Sequence, residues 1–303
     1  MSTFDLFAGF ESHWIDTSVG QIFARSGGSG PPLLLVHGFP QTHVEWHRIA
    51  PELAKRFTLV IPDLPGYGWS VAPRGGKGHY PYAKRDMAKV MIEVMEALGH
   101  VRFMACGHDR GARVTYRMAL DHPGRLERIA LLDIVPTIVM WERIRAAPSP
   151  KTEHWIFLSG PEGVPEAAIG RNPTAYLEEK LALWTKTGTL DAYDNRALQH
   201  YRDSFNDPSR IHAACEDYRA GATVDLAADA ADKTAGRTIG VPAHVVWGDA
   251  GIPSAGASPL DAWKVFAPGA TGEAVDSGHF IPEENPAGCL AAVLPFLAGT
   301  RLA

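Results

Sequence analysis

The stretch Gly107-His108-Asp109-Arg110-Gly111-Ala112-Arg113 puts a carboxylate among an imidazole and two guanidinium groups. Its Gly-x-Asp-x-Gly core has the outline of a nucleophile elbow, the sharp strand-to-helix turn that exposes a reactive side chain, with aspartate where serine is usual. A carboxylate in that place suits attack on a saturated carbon, which leaves an ester on the protein that water must then open. A helix N-terminus also favours the anionic form, and a plain N-cap role for Asp109 is the structural alternative. His279, in Ser277-Gly278-His279-Phe280, is the candidate base for that water. Two acids fit the chain order nucleophile, acid, histidine: Asp133 and Asp249, each at the end of a strand-like run. His37-Gly38-Phe39-Pro40 follows the run expected before an oxyanion loop. The backbone N–H groups of Phe39 and Arg110 would receive the negative charge that develops on the ester carbonyl.

Groups so far apart in sequence need a scaffold that gathers them. Continuous apolar runs at 32–36 (PLLLV), 57–62 (FTLVIP), 102–106 (RFMAC), 129–135 (IALLDIV) and 242–247 (PAHVVW) predict parallel strands buried on both faces. Shorter strands are expected at 20–26 and 273–276. The segments between look helical: Met87, Met91, Val94, Met95 and Leu98 share one stripe, and Gly99 ends that helix. A C-terminal helix is expected around 290–297. Alternating strands and helices predict an α/β architecture with a mostly parallel sheet flanked by helices. From 136 to 220 the pattern turns helical, with Trp141, Trp155 and Trp184 and breakers at Pro148, Pro150, Pro161 and Pro173. This predicts a core made of residues 1–135 and 221–303, with 136–220 inserted as a helical cap over the strand ends.

The 303 residues are 46% hydrophobic and 21% charged, a globular composition. A formal charge of -5 without a basic block excludes nucleic acid as an expected partner. Cys106, Cys215 and Cys289 have no paired spacing, which predicts a reducing, cytoplasmic setting without disulfides or zinc. The first residues lack a basic region followed by an apolar run, and no apolar run is long enough to span a bilayer, so neither a signal peptide nor a membrane association is expected.

Six stretches together resemble the haloacetate dehalogenase group, in the epoxide hydrolase-like branch of the α/β-hydrolases, along the whole chain. They are His37-Gly38-Phe39-Pro40-Gln41-Thr42, Asp63-Leu64-Pro65-Gly66-Tyr67-Gly68, the elbow, His154-Trp155, Asp217-Tyr218-Arg219 and Ser277-Gly278-His279-Phe280. The first two also occur in epoxide hydrolases; the Asp-Arg-Gly-x-Arg elbow combined with His-Trp is more specific. The resemblance implies an α/β-hydrolase fold with a cap, Asp109 as nucleophile, His279 as base and Asp133, ahead of Asp249, as acid. It implies that Arg110 and Arg113 bind a substrate carboxylate, and that His154, Trp155 and Tyr218 bind the departing halide. Trp184 is expected in the pocket wall. The implied reaction turns a short 2-haloacid such as a haloacetate into glycolate and halide, in a homodimer, with no metal or organic cofactor.

The residues themselves fit those roles. Arg110 and Arg113 are three apart and share a helix face, and guanidinium forks suit carboxylates. Indole N–H, phenol O–H and imidazole N–H are all donors to an anion. Haloalkane dehalogenases usually carry tryptophan directly after the nucleophile, and Arg110 in that place favours an anionic substrate. Epoxide hydrolysis is the second expectation; it needs two cap tyrosines, here Tyr218 with Tyr193 or Tyr201. A non-catalytic relative that only binds a ligand would usually lack one of Asp109, Asp133 and His279, all of which are present.

Overall fold

The computed structural model describes residues 5–254 and 258–299. Its centre is an eight-stranded sheet built from β1 (Glu11–Thr17), β2 (Gly20–Gly28), β3 (Pro32–Val36), β4 (Thr58–Pro62), β5 (Phe103–His108), β6 (Leu126–Leu132), β7 (Ala243–Gly248) and β8 (Thr271–Val275). The order across the sheet is β1-β2-β4-β3-β5-β6-β7-β8. The six strands from β4 to β8 run parallel, and β1 and β2 add an antiparallel edge. Leu33 to Val36, Leu59 to Ile61 and Ile129 to Leu132 are wholly buried, as expected for strands covered by helices on both faces. The expected apolar runs became β3 to β7. β1 was not expected, because most of ESHWIDT is exposed and the strand lies at the sheet edge with only Ile15 buried.

The methionine stripe lies on the helix Lys84–Ala97, with Met87, Met91, Val94 and Met95 buried, and Gly99 follows at φ +85°. β5 runs two residues further than the apolar run, so it carries Gly107 and His108 to the very start of the helix Asp109–Asp121. β8 begins two residues earlier than expected, and the last helix is Pro286–Leu297.

Between β6 and β7 the described residues form helices and no strand: Thr137–Ala146, Glu153–Leu158, Val164–Ile169, Pro173–Trp184, Asn195–Phe205, Pro208–Ala222 and Val224–Thr234. The helical run thus passes through position 220 and continues to 234. Among the described residues no helix is long and apolar enough to cross a membrane. The loops after β3, β5, β6 and β8 leave the same, C-terminal edge of the sheet, where parallel α/β sheets place their ligands. Those loops carry Phe39, Asp109, Asp133 and His279.

Candidate active site

Asp109 is the first residue of its helix and has φ +44°, a left-handed conformation uncommon for a non-glycine residue. Close packing enforces the turn. A Cβ on Gly107 would lie 2.5 Å from Thr115 Oγ1, and one on Gly111 2.1 Å from the Val36 carbonyl oxygen. A Cβ on Gly38 would lie 2.5 Å from that of Asp109. Three glycines therefore let the elbow press against the end of β3. In that position the Phe39 N–H donates to Asp109 Oδ2 at 3.0 Å.

Asp133 also has a left-handed backbone, φ +51°. It accepts from the N–H groups of Gly248 (2.9 Å) and Ile252 (3.1 Å), and its Oδ2 lies 2.5 Å from His279 Nδ1. That bond leaves His279 Nε2 facing the elbow, 4.0 Å from Asp109 Oδ1 and with no protein hydrogen bond. The His279 N–H donates to the Trp184 carbonyl at 2.9 Å, which ties the loop after β8 to the helical insertion. Asp249 does not meet His279: its side chain is 47% exposed and is ion-paired to Lys186 at 2.7 Å. Burial alone would raise the Asp109 pKa, but the charges of His279, Arg110, His108 and Arg113 outweigh it and hold the carboxyl below its ordinary 3.8.

Arg110 and Arg113 are both buried beside Asp109, but they are not two free forks. Arg110 is already held by Asp217: Nε reaches both carboxylate oxygens at 3.2 Å, and Nη2 reaches Oδ1 at 2.6 Å and the backbone carbonyl at 2.9 Å. Only its Nη1 lacks a protein partner. Arg113 gives Nη1 to the Val135 carbonyl and Thr137 Oγ1, both at 3.1 Å, and its Nε is unpartnered. Among the described residues Arg113 has no carboxylate within ion-pair range, whereas Asp217 also takes Lys84 Nζ and the Tyr67 hydroxyl. The site therefore holds one compensated cation and one uncompensated cation.

The residues of the helical insertion close the site. His154 and Trp155 come from Glu153–Leu158, Trp184 from Pro173–Trp184 and Tyr218 from Pro208–Ala222, and all four are buried. The His154 ring centroid lies 4.4 Å from that of Trp184 and 5.3 Å from that of Tyr218, and Trp155 meets Tyr218 edge-on at 5.6 Å. The Arg110 guanidinium sits 4.2 Å from the Tyr218 ring centre, and that of Arg113 4.5 Å from Trp155, which is cation–π range. Trp184 also flanks His279, at 5.7 Å. Burial keeps His154 neutral, its pKa well below the ordinary 6.5. Burial and the Asp109 charge keep the Tyr218 hydroxyl protonated.

Fifteen buried side-chain polar atoms lack a hydrogen-bond partner among the described residues, and five belong to Arg110, Arg113, His154, Trp184 and His279. Each such atom costs about 1–3 kcal/mol unless something binds it, so these five, on residues that neighbour one another around Asp109, are open to a ligand.

All the sequence-predicted site residues come together except the alternative acid Asp249. Of the tyrosines considered for epoxide chemistry, only Tyr218 is in the site. The Tyr193 hydroxyl donates to the Leu181 carbonyl (3.5 Å) and that of Tyr201 to Glu283 Oε1 (3.2 Å). Asp217 had no assigned role in the sequence; its only signal there was an acid beside Tyr218, and the partner it compensates lies 107 positions away.

The chain matches the α/β-hydrolase fold over residues 31–286. A fluoroacetate dehalogenase from Burkholderia sp is 40% identical over 98% of this chain and 96% of its own length. A soluble epoxide hydrolase from Corynebacterium sp. (strain C12) is 31% identical over 91% of this chain and 93% of its own. A crystal structure from Nostoc sp PCC 7120, described as an α/β hydrolase, is 44% identical and superposes with a TM-score of 0.91, covering 95% of this chain and 98% of that one. With the elbow, the sheet order and these matches in hand, the chain is a member of the α/β-hydrolase family.

Proposed function

We propose that this enzyme is a hydrolytic dehalogenase of short 2-haloacids, turning a haloacetate into glycolate and halide through an ester on Asp109. The observation that carries this reading is the pair of unpartnered guanidinium donors, Arg110 Nη1 and Arg113 Nε, buried next to a carboxylate nucleophile. A neutral haloalkane or epoxide gives them nothing to bind, and a substrate carboxylate matches the one uncompensated cation. The 40% identity to a fluoroacetate dehalogenase supports the same conclusion.

Asp109 Oδ2 is held by the Phe39 amide, which leaves Oδ1 to attack the α-carbon in line with the carbon–halogen bond. The C–O bond forms as the C–X bond breaks, and the electron pair leaves with the halide. Trp155, His154 and Tyr218 supply neutral N–H and O–H donors to that anion. The ester's carbonyl oxygen, formerly Oδ2, then lies on the Phe39 amide, with the Arg110 N–H as the second donor of the oxyanion hole. His279 Nε2, oriented by Asp133, takes a proton from the water that attacks the carbonyl carbon. Collapse breaks the bond to the glycolate oxygen, which takes the proton back from His279; water's second proton stays on the Asp109 acid and is released to solvent as the carboxylate re-forms. The 4.0 Å gap between His279 and Asp109 suits a base that acts on water in the second step only.

In this reading residues 1–135 and 221–303 form the core and 136–220 the cap, and the protein works as a cytoplasmic homodimer. Epoxide hydrolysis is the second reading, supported by the 31% identical relative and weakened by the engagement of Tyr193 and Tyr201 elsewhere. Halide release from fluoroacetate and chloroacetate, run beside ring opening of a styrene-oxide-type epoxide, separates the two. Halide release without diol is the expected result; rapid diol formation without halide release overturns the proposal.

A further inference from the structure

Behind the elbow lies a second buried acid–histidine pair that the chemistry above does not use. Glu45 and His108 are both fully buried. His108 Nδ1 lies 3.2 Å from Glu45 Oε2, close enough for an ion pair though poorly aligned for a hydrogen bond. The same Glu45 oxygen accepts the Gly38 N–H at 3.1 Å, one residue before the Phe39 amide that holds Asp109. On its other side His108 Nε2 lies 2.8 Å from the His279 carbonyl oxygen and, as the donor there, fixes the backbone of the proposed base. The His108 and His279 rings are 4.6 Å apart. One pair thus touches the oxyanion loop after β3, the residue before the candidate nucleophile, and the base loop after β8.

The groups facing His108 favour its charged form, paired with Glu45 at Nδ1 and donating from Nε2. Burial pulls its pKa down, but the charge and proximity of Glu45, with Asp109 and Asp133, outweigh burial and raise it to about 9. Glu283 lies on the far side of Glu45. Burial and the Glu45 charge push its carboxyl up, and it is braced by Gln41 and by the Tyr201 hydroxyl. Gln41 adjoins the same oxyanion loop, so Glu283 closes the network from behind.

We infer that Glu45 and His108 are positioning residues for ester hydrolysis: they hold the Phe39 amide and His279 in register on opposite sides of the Asp109 carbonyl. This rests on the aspartyl-ester reading above. Ester formation uses one group that the pair aligns, the Phe39 amide that orients Asp109 Oδ2, and does not use His279 as a base. Hydrolysis needs both groups that the pair aligns, and a misplacement of about 1 Å there costs on the order of a hundredfold.

The test uses the full-length enzyme with chloroacetate, comparing wild type with Glu45→Gln and His108→Gln. Both variants should lower kcat by about tenfold to a hundredfold and lower KM with it. kcat/KM, which reports ester formation, should stay within a few fold. Intact-protein mass spectrometry during turnover should show the ester accumulating on the variants. A merely structural role predicts lower kcat from a smaller folded fraction, with KM unchanged and no accumulated ester, and that result overturns the inference. If Glu45→Gln fails to fold, His108→Gln keeps a donor toward the His279 carbonyl and decides the matter alone. A wild-type enzyme that releases halide, with variants slowed equally in both steps or in neither, overturns the positioning role alone. A wild-type enzyme that never forms an ester under single turnover overturns the reading beneath it.

Discussion

On the core side of the site, the candidate catalytic groups are tied down by hydrogen bonds. Asp133 accepts two backbone N–H groups besides His279, Asp109 takes the Phe39 amide, and His279 is fixed through its own backbone by His108 and Trp184. On the cap side the opposite holds. His154 and Trp184 keep buried nitrogens without protein partners, and among the described residues neither the Tyr218 hydroxyl nor the Trp155 indole N–H makes a hydrogen bond. The difference separates groups that must not move from groups that must bind something. In the proposed mechanism the core's hydrogen bonds would fix geometry, and the donors of the helices between β6 and β7 would stay open for the departing halide.

The largest break in that comparison is Asp109→Asn. It should cost on the order of 10⁴-fold or more in turnover, while haloacid binding, read by calorimetry, persists. Retained turnover would move the chemistry off the elbow.

Next is Asp217→Asn, which strips the compensating charge from Arg110 and leaves Lys84 with Asp225 alone. Breaking a buried pair of this kind costs about 3–5 kcal/mol, so the melting temperature should fall and KM for haloacetate should rise. An unchanged melt together with an unchanged KM would mean that Arg110 does not depend on this anchor.

In the helices between β6 and β7, Tyr218→Phe removes one donor and almost no volume, and Trp155→Phe removes one donor together with part of the buried ring beside Arg113. A hydrogen bond to a charged partner contributes about 1.5–3 kcal/mol, so ester formation should slow by about tenfold to a hundredfold. Fluoride release should suffer more than bromide release, because the smaller anion gains most from such donors. Equal losses for both halides, measured by single-turnover halide release, would reduce these residues to packing.

The smallest effect is on stability against pH. His154 stays neutral in the fold well below 6.5, and His200 is lowered to about 4, first by burial and then by His43. Below pH 6.5 the unfolded chain binds protons at these two residues that the folded chain refuses, so stability should fall as pH drops from 6.5 through the folded values. His108 runs the other way. Its contribution is complete below 6.5 and is lost as pH rises through about 9. Denaturant titrations of His154→Gln and His108→Gln against pH should flatten the acid and alkaline limbs respectively; identical limbs would contradict these assignments.

The core side was largely legible in the sequence and the cap side was not. Gly107, Asp109 and Gly111 can be read because a tight turn and a close approach demand particular residue types at fixed spacing. The apolar runs around them reveal the strands for the same reason. Asp133 and Asp249 could not be separated by spacing, since both end strands; only the sheet order and the Lys186 ion pair turn Asp249 outward. His154, Trp155 and Tyr218 were singled out through family resemblance alone, because an aromatic residue that serves an anion and one that packs a helix look alike in one dimension. Asp217 and Glu45 were assigned no role, since a buried acid takes its meaning from a partner dozens of positions away. The burial of Arg110 and Arg113 beside Asp109 fits the expected carboxylate clamp, but the occupation of one fork by Asp217 was not anticipated.

The most direct test of an ester on Asp109 is to trap it. His279→Asn, incubated with chloroacetate and digested, should carry one added carboxymethyl group on the peptide that contains Asp109, with one equivalent of chloride released. Continued multiple turnover with that peptide unmodified would contradict the aspartyl-ester mechanism.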